Sequence, residues 1–568
     1  MFKVPYRKVK LGELLINLDE PIAFDSETVG LYGKIRLAQF FQEGWDEVLL
    51  VEWPDPYELA AFLDTCHIIM HNGHYDITTI QANTETRWEP NKWDDTFYLA
   101  RLYYYNKEKF SLDEVMTYAL DYDPYEAQDL DKKLLQKSNW GAIALTTDQL
   151  TYAATDVFYL FDVWHIVKVM TEDSNYKLDK LILSYSLDFQ NNGFPVEGEK
   201  LQLQFEDNLD KIESYNLPIN VNSYKQVRPY IGSINSDGLG LATLAILGNT
   251  KAKEVNIVRK LIKQNSFLSK FDTMDGRIYG KFQPSARSGR FTCRDQNLEQ
   301  LPRKLKKIFG LPTEEGRVLV YSDYPQIELR SITCITGETR MEKLFRELED
   351  LHTYTAIMLF GEDYTKDQRQ IAKTCNFALL YGAGWKVLQA ILITTANMLL
   401  EEHVLRSIIH RWKTLWSAIA AWQDQGISAW RHGQAWATPF GRRYVAKMMT
   451  DQLNIKNQGF AAEIAKLAMH YMVPKIKAIG GIPVQLVNFV HDSYIFECDI
   501  GQHEEVAEIT SVAMQEAWFE ALKVGKDLKI RDLPMPINTF AGYNWGDIEK
   551  GNFIYEHKLI GMEAYERL

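Results

Sequence analysis

The sequence predicts a multidomain α/β protein in which a sheet-and-helix domain precedes a larger body of helices and strands. Three observations lead there. The first ~180 residues alternate short apolar strands with helical runs, the pattern of an α/β domain. A Gly/Pro-bearing stretch, NNGFPVEGEK from Asn191 to Lys200, reads as a junction. Beyond it, long helical stretches separate apolar strands, two of which deliver an aspartate to a turn.

The elements follow in order. PIAFDSET is a strand running into a turn, and IRLAQFF and EVLLVEW are the next two strands. CHIIMHNG is a buried strand followed by a helix from His74. Thr147 to Met170 has the 3.6-residue apolar period of one helix, capped by Thr146 or Thr147. After the junction the chain is mainly helical to about Leu268, and strands return at Arg277–Phe282 and Arg317–Ser322. Helices then occupy Met341 to His432, and PVQLVNFVHDSYIFEC closes the pattern with two short strands.

The 568 residues leave room for three or four domains of about 150 residues. A composition of 46% apolar and 24% charged residues permits a large core. No uncharged apolar window of about 18 residues occurs, so no membrane span is expected. The basic N-terminus lacks the apolar core of a secretion signal. Five scattered cysteines without a CxxC argue against a disulfide framework or zinc site and fit a reducing cytoplasm. The net charge of −13 does not exclude nucleic acid, because phosphate contacts depend on the local field. Lys281 to Gly310 carries eight basic residues against two acidic ones, which fits either a phosphate-tracking surface or a solvated loop.

Asp25 and Glu27 stand at i and i+2 on a strand, so both carboxylates face one side. Such a pair repels itself unless a cation lies between, and Mg²⁺ favours carboxylates plus water. Asn72 and Asp76 follow the buried strand, and Tyr152 and Asp156 share one helix face at i and i+4. In this order DxE, NxxxD and YxxxD resemble the DEDDy exonuclease family, the proofreading domain of DNA polymerase I-type enzymes, over about residues 1–180. The resemblance implies an RNase H-like domain in which Asp25, Glu27, Asp76 and Asp156 hold two divalent metals and Tyr152 orients the attacking water.

Asp323 ends the strand of VLVYSDYPQIELR, and Asp492 sits at the bend of NFVHDSYIF. Between them, Arg369, Lys373, Phe377 and Tyr381 recur every fourth residue, drifting about 40° per step into one stripe, cationic first and aromatic after. A triphosphate at the cationic end, with sugar and base along the rings, accounts for both halves. DYPQIELR, RQIAKTCNFALLYG and VHDS resemble the three polymerase motifs of the family A DNA polymerases. SGRFTCRDQNLEQLP, LHTYTA, NIKNQGFAAEIAK and the Asn220–Gln226 segment extend the resemblance over about residues 190–550, in family order.

That resemblance implies a right-hand polymerase behind the exonuclease: exonuclease 1–185, thumb 186–275, first part of the palm 276–345, fingers 346–445 and second part of the palm 446–568. It makes Asp323 and Asp492 the metal ligands, with two Mg²⁺ per active site and Mn²⁺ able to substitute. Arg369, Lys373 and His352 meet the triphosphate, Lys373 also protonating the leaving pyrophosphate. Phe377, Tyr381 and Gln326 line the nucleotide pocket, and Glu328 with Tyr381 fills the space of a ribose 2′-OH. Arg290, Asn297, Asn454, Gln458 and His491 are expected on the primer–template, several in its nearly sequence-independent minor groove. Expected partners are primer–template DNA, dNTPs and replisome proteins (helicase, primase, single-strand-binding protein), with a monomeric chain and no membrane.

The sequence departs from the family at Pro325 (Ser in the family), expected in a first helical turn, and at Ser493 (Glu), which removes a carboxylate beside the metals. Glu299, Gln300 and Thr450 also replace family residues expected on the template. Starting directly at the exonuclease, the chain resembles bacteriophage replicative polymerases, some of which copy genomes carrying modified bases such as 2-aminoadenine; the location is then the host cytoplasm. Three other readings remain: a nuclease with a decayed polymerase half, a single-subunit RNA polymerase and a DNA-binding scaffold. Intact Asp323, Asp492, Arg369, Lys373 and Tyr381 oppose the first and third, and Glu328 with the exonuclease domain opposes the second.

Overall fold

A computed structural model describes residues 3–271, 273 and 275–560. The chain forms two compact units, Met1–Leu187 with Arg443–Val445, and Asp188–Arg442 with Ala446–Leu568.

The first unit is built on a six-stranded sheet of β1 (Tyr6–Lys8), β2 (Ile22–Thr28), β3 (Ile35–Gln42), β4 (Val48–Glu52), β5 (His67–Met70) and β6 (Lys92–Asp95), in the order β1-β4-β3-β2-β5-β6. β2 is antiparallel to β3 and parallel to β5. Its flanks are therefore covered, and Ile22, Ala23 and Phe24 are buried. Helix α1 (His74–Thr84) follows β5, and α2 (Thr147–Phe158) packs on β2, β3 and β4. Thr146 caps α2 reciprocally: its Oγ1 accepts from Gln149 N–H at 3.2 Å, while Gln149 Oε1 accepts from Thr146 N–H at 2.9 Å.

The single helix expected over 147–170 is three pieces: α2, a second helix at Leu160–Val167 and a 3-10 turn at Lys168–Glu172. The break lies at Tyr159, with φ −89° and ψ 3°. Phe158 and Phe161 both pack on Phe41, so the apolar period runs through the break and conceals it. The expected junction at 191–200 also differs. A helix, Ser174–Asn192, crosses the division at Leu187, and Phe194 and Val196 beyond it are buried in the second unit.

The second unit centres on a five-stranded antiparallel sheet of β7 (Arg317–Asp323), β8 (Gln485–Val490), β9 (Ser493–Asp499), β10 (Ile537–Gly542) and β11 (Tyr555–Leu559), ordered β8-β9-β7-β10-β11. Its helices include α3 (Ile327–Thr336), α4 (Leu351–Phe360), α5 (Lys366–Ala378), α6 (Glu402–Leu415), α7 (Met449–Lys477) and α8 (His503–Val524). α8 packs on β7, β9, β10 and β11 and on α7, burying Trp518, Met514 and Met469. Helices also fill 198–268, with a small core of Val227, Leu241, Val255 and Val258.

Two further expectations are corrected. The stripe of Arg369, Lys373, Phe377 and Tyr381 does not stay on one α-helix: α5 ends at Ala378, and Leu379–Tyr381 is a 3-10 turn closed by Gly382 at φ +76°. Gln423 Nε2 donates to the carbonyls of Leu379 and Leu380 at 2.5 and 2.9 Å, satisfying groups the tightening turn releases. Pro325 lies outside α3, which starts at Ile327 behind Gln326 in the left-handed region at φ +57°. Among the described residues no helix is long and apolar enough to cross a membrane.

Candidate active sites

In the first unit, carboxylate oxygens of Asp25, Glu27 and Asp156 lie within 4.8 Å of one another. β2 supplies the first two from one face, and α2 supplies the third. Burial and mutual repulsion push Asp25 and Glu27 well above the usual carboxylate range; the neighbours are chiefly Asp76 and Asp156 for Asp25, and Asp156 and then Asp76 for Glu27. Burial also lifts Asp76 to about 7 and Asp156 to about 6. A small oxygen-rich cage of repelling carboxylates is the donor set a hard divalent cation takes, so these residues fit one.

Asp76 stands beside this trio rather than within it. Ser26 Oγ donates to Asp76 Oδ1 at 2.7 Å, drawing that carboxylate toward the residue between Asp25 and Glu27. Asn72 adopts φ +60° at the turn into α1, and Asp95 holds that turn, accepting from Asn72 N–H and Gly73 N–H at 2.9 Å each. Tyr152 is buried between Tyr125 and Trp140, with centroids at 5.8 and 6.2 Å.

Sequence reasoning missed Ser26, Asp95 and Tyr125. Tyr125 Oη donates to Asp156 Oδ1, and Lys132 lies 4.9 Å over its ring and offsets part of the negative charge on Asp156. Tyr125 lies beside a 3-10 turn without periodicity, so no pattern singled it out.

In the second unit, β7 pairs with β9 so that Asp323 stands opposite Ser493, next to Asp492 at the β8–β9 bend. Burial first, then the charge of Asp492, pushes Asp323 well above its ordinary range, and burial raises Asp492 likewise. The bend residue His491 has φ +59°, exposed and outside the strands. Ser493 Oγ donates to Val490 O at 3.0 Å, so the hydroxyl that stands where a carboxylate was expected closes the hairpin. A cleft of about 520 Å³ opens beside Asp323, lined also by Tyr321, Asn538, Glu549 and Arg303. Glu549 was not foreseen; its charge reaches Asp323, and Lys306 Nζ pairs with it at 2.5 Å.

Glu328, in the first turn of α3, accepts from Tyr381 Oη on one carboxylate oxygen and from Arg290 on the other. Asn457 Nδ2 donates to Glu328 O at 2.9 Å and Tyr381 Oη at 3.2 Å, joining α3, the 3-10 turn and α7. Asn457 was quoted within its motif without a role. Asn454 and Gln458 are half-buried on the same helix, with no hydrogen-bond partner for Asn454 Oδ1 among the described residues. Gln326 Oε1 is likewise buried without a partner. Asn297 is occupied locally, its Oδ1 capping a 3-10 turn from Gln300 N–H at 3.1 Å.

α7 approaches the Ser288–Arg290 loop only because Gly459 has no side chain: a Cβ there would lie 2.7 Å from Thr438 Cγ2 and 3.1 Å from Ser288 O. The basic stretch from Lys281 to Gly310 is partly neutralised rather than an open rail. Arg290 pairs with Glu328, Arg303 and Lys306 with Glu549, and Lys307 with Asp547.

On α5, Lys373 and Phe377 are exposed, and Lys373 has no hydrogen bond or ion pair within the described protein. Arg369 is steadied at the start of α4 by Thr353 Oγ1 at 2.9 Å and Asp350 Oδ2 at 2.5 Å. The His352 ring lies 5.6 Å from that of Phe377. Two cations, an imidazole and an exposed aromatic ring thus share one patch.

A family model described as DNA polymerase family A matches residues 241–547, and one described as 3′-5′ exonuclease matches residues 7–172. DNA polymerase I of Aquifex aeolicus is 28% identical over 573 residues, covering 92% of this chain and 95% of its own. Thermostable DNA polymerase I of Thermus thermophilus is 28% identical over 364 residues, covering 57% of this chain and 42% of its own. The chain therefore spans nearly all of the first relative and less than half of the second. A solved structure, the POL domain of Pol1 from M. smegmatis in complex with DNA primer-template and dNTP, aligns with a TM-score of 0.74 at 18% identity, over 93% of this chain and 95% of that one, a likeness of fold.

Proposed function

Because this chain belongs to DNA polymerase family A and carries a 3′→5′ exonuclease domain, we propose that it extends a DNA primer along its template from dNTPs and excises mispaired 3′ ends at a separate site. The observation carrying this reading is the convergence of Asp323 and Asp492 at paired strand ends, beside the Glu328–Tyr381 contact. When bound, two Mg²⁺ per site, or Mn²⁺ in their place, would supply activation of the attacking oxygen and charge stabilisation at the leaving oxygen, held by Asp323 and Asp492 in one unit and by Asp25, Glu27, Asp156 and Asp76 in the other.

The remaining roles fall to the chain's own groups. Arg369, Lys373 and His352 hold the triphosphate, and the free ammonium of Lys373 gives its proton to the pyrophosphate. Phe377 and Tyr381 pack on sugar and base, with Gln326 at the pocket edge. Arg290, Asn297, Asn454, Gln458 and His491 face the primer–template. In the smaller unit, Tyr152 orients the water that attacks the terminal phosphate. We assign 186–275 to a thumb, 276–345 and 446–568 to a palm and 346–445 to fingers.

Glu328 gates the sugar. Anchored by Tyr381 and Arg290, it has no freedom to withdraw from a 2′-OH. Overpacking costs about 1–3 kcal/mol and an unpaired buried hydroxyl a comparable amount, so ribonucleotide rejection is on the order of 10³-fold. Glu328→Ala is expected to raise NTP incorporation by about 10-fold or more. Use of dNTPs falls in part, because Tyr381 and Arg290 lose their partner. Single-nucleotide incorporation with matched dNTP and NTP pairs measures both; equal NTP use by wild type and variant removes the gate.

Phe377 offers no hydroxyl, so discrimination against dideoxynucleotides falls to the 3′-OH of the incoming nucleotide itself. Phe377→Tyr is expected to raise dideoxynucleotide incorporation strongly while dNTP use holds. Terminator titration on a primed template reads this, and unchanged sensitivity displaces α5 from the pocket.

The finer reading is replication of a bacteriophage genome, extended to one carrying a modified base such as 2-aminoadenine by the departures at Glu299, Gln300 and Thr450. Burial lifts Glu299 to about 7, and its Oε2 accepts from Cys293 N–H at 3.0 Å. Competition between dATP and 2-aminoadenine deoxynucleotide opposite thymine tests this reading. A preference for dATP equal to that of an ordinary DNA polymerase I rejects it.

A further inference from the structure

Behind the exposed stripe of α5, Asn376 is fully buried, and its amide connects α4, α5 and α6. Trp412 Nε1 donates to Asn376 Oδ1 at 2.9 Å. An indole N–H can only donate, so the amide oxygen must face it. The amide nitrogen then faces the other way, donating to Thr355 Oγ1 at 2.9 Å and to His352 Nδ1 at 3.0 Å. A ring nitrogen that accepts a hydrogen bond carries no proton, so the proton of a neutral His352 sits on Nε2. That nitrogen has no hydrogen-bond partner among the described residues.

The ring is also kept neutral. Burial pushes His352 down to about 4, the charges of Lys373 and Arg369 add to the effect, and Asp350 opposes it. His352 thus offers one N–H, with a fixed direction, on the patch shared with Lys373 and Phe377.

We propose that Asn376, oriented by Trp412, is a positioning residue that fixes His352 as its Nε2–H tautomer and thereby aims one neutral donor at an anionic oxygen of the incoming nucleotide. The nucleotide half of this statement rests on the reading of His352 given above; the tautomer half rests on the hydrogen bonds alone. A neutral donor beside two cations has a physical advantage. It adds a directional contact without adding a third positive charge to a patch where Arg369 and Lys373 already stand.

The test uses the full chain with ¹⁵N-labelled histidine. Two-bond ¹H–¹⁵N spectra at neutral pH report the tautomer of His352, assigned by the resonance lost in His352→Gln. The expected wild-type pattern is unprotonated Nδ1 and protonated Nε2. Asn376→Leu, or the milder Trp412→Phe if the first does not fold, is expected to give a mixture of tautomers. It should also raise KM for dNTP by about tenfold with kcat changed much less, the loss of one hydrogen bond to a charged group. In a His352→Ala background the same substitution is expected to add nothing to KM. A wild-type Nδ1–H or doubly protonated ring overturns the proposal, as does a full additional KM effect in the His352→Ala background. An unchanged KM in His352→Ala alone instead removes His352 from nucleotide binding and leaves the tautomer assignment standing.

Discussion

Asp492→Ala is expected to abolish primer extension while 3′ digestion continues at the wild-type rate. Asp323 and Asp492 are the two carboxylates that the β7–β9 pairing brings together, and each is buried enough that its charge is costly. Among the described residues the neighbouring groups are already engaged, Ser493 with Val490 O and Glu549 with Lys306. Loss of preorganised charge at such a centre costs on the order of 10³-fold or more in rate. The same repulsion that makes the pair reactive opposes folding, so the alanine variant should melt no lower than wild type. Loss of extension with an unchanged or raised Tm separates a chemical role from a structural one. Near-wild-type extension by Asp492→Ala would falsify the assignment of the palm site.

The second large effect lies in the smaller unit. Asp25→Ala with Glu27→Ala is expected to eliminate 3′ digestion and to leave extension largely intact. Two of the three converging carboxylates go, leaving Asp156 held by Tyr125 and Asp76 held by Ser26. A pH signature accompanies the loss. Asp76 and Asp156 are raised from 3.8 to about 7 and about 6, so the folded unit binds more protons than the unfolded chain between those values. Unfolding then releases protons, and stability of the cation-free protein is full at low pH and falls as pH rises through this window. In the double variant the raised carboxylates of Asp25 and Glu27 are gone, and that fall becomes shallower. Adding Mg²⁺ at pH 8 should raise the Tm of wild type more than that of the variant, which keeps only the Asp323–Asp492 site. Persistent digestion by the double variant, or an equal Mg²⁺ response, would place the nuclease site elsewhere.

Much of this architecture was legible in the sequence, because strand alternation and short motifs report local geometry. The i, i+2 pair Asp25 and Glu27 had to share a face once IAFDSE was a strand, and β2 obliges. Asp323 and Asp492 each ended an apolar run, although only the antiparallel register could show that they meet. Periodicity misled where packing replaced it. Phe158 and Phe161 carry one apolar stripe across a break, and Gly382 tightens the end of α5 so that Tyr381 leaves the helix it was assigned to.

Supporting contacts were hidden for a different reason. Arg290, Asn457 and Tyr125 act through partners 38, 129 and 31 positions away, and no local pattern encodes such pairs. Charge counting over Lys281–Gly310 left two readings open, because the acids that partly neutralise it, Glu328, Glu549 and Asp547, lie outside the stretch.

The central claim, templated DNA synthesis and 3′ excision by one chain at two sites, is tested most directly on a 5′-labelled primer annealed to a longer template in Mg²⁺. With dNTPs, wild type should lengthen the primer to the template end in the order the template dictates; with NTPs it should not; with neither, the primer should shorten from its 3′ end. Asp492→Ala should only shorten the primer, and the Asp25→Ala, Glu27→Ala variant should only lengthen it. Extension that ignores the template, NTP use equal to dNTP use, or one variant losing both activities while folded would contradict the account.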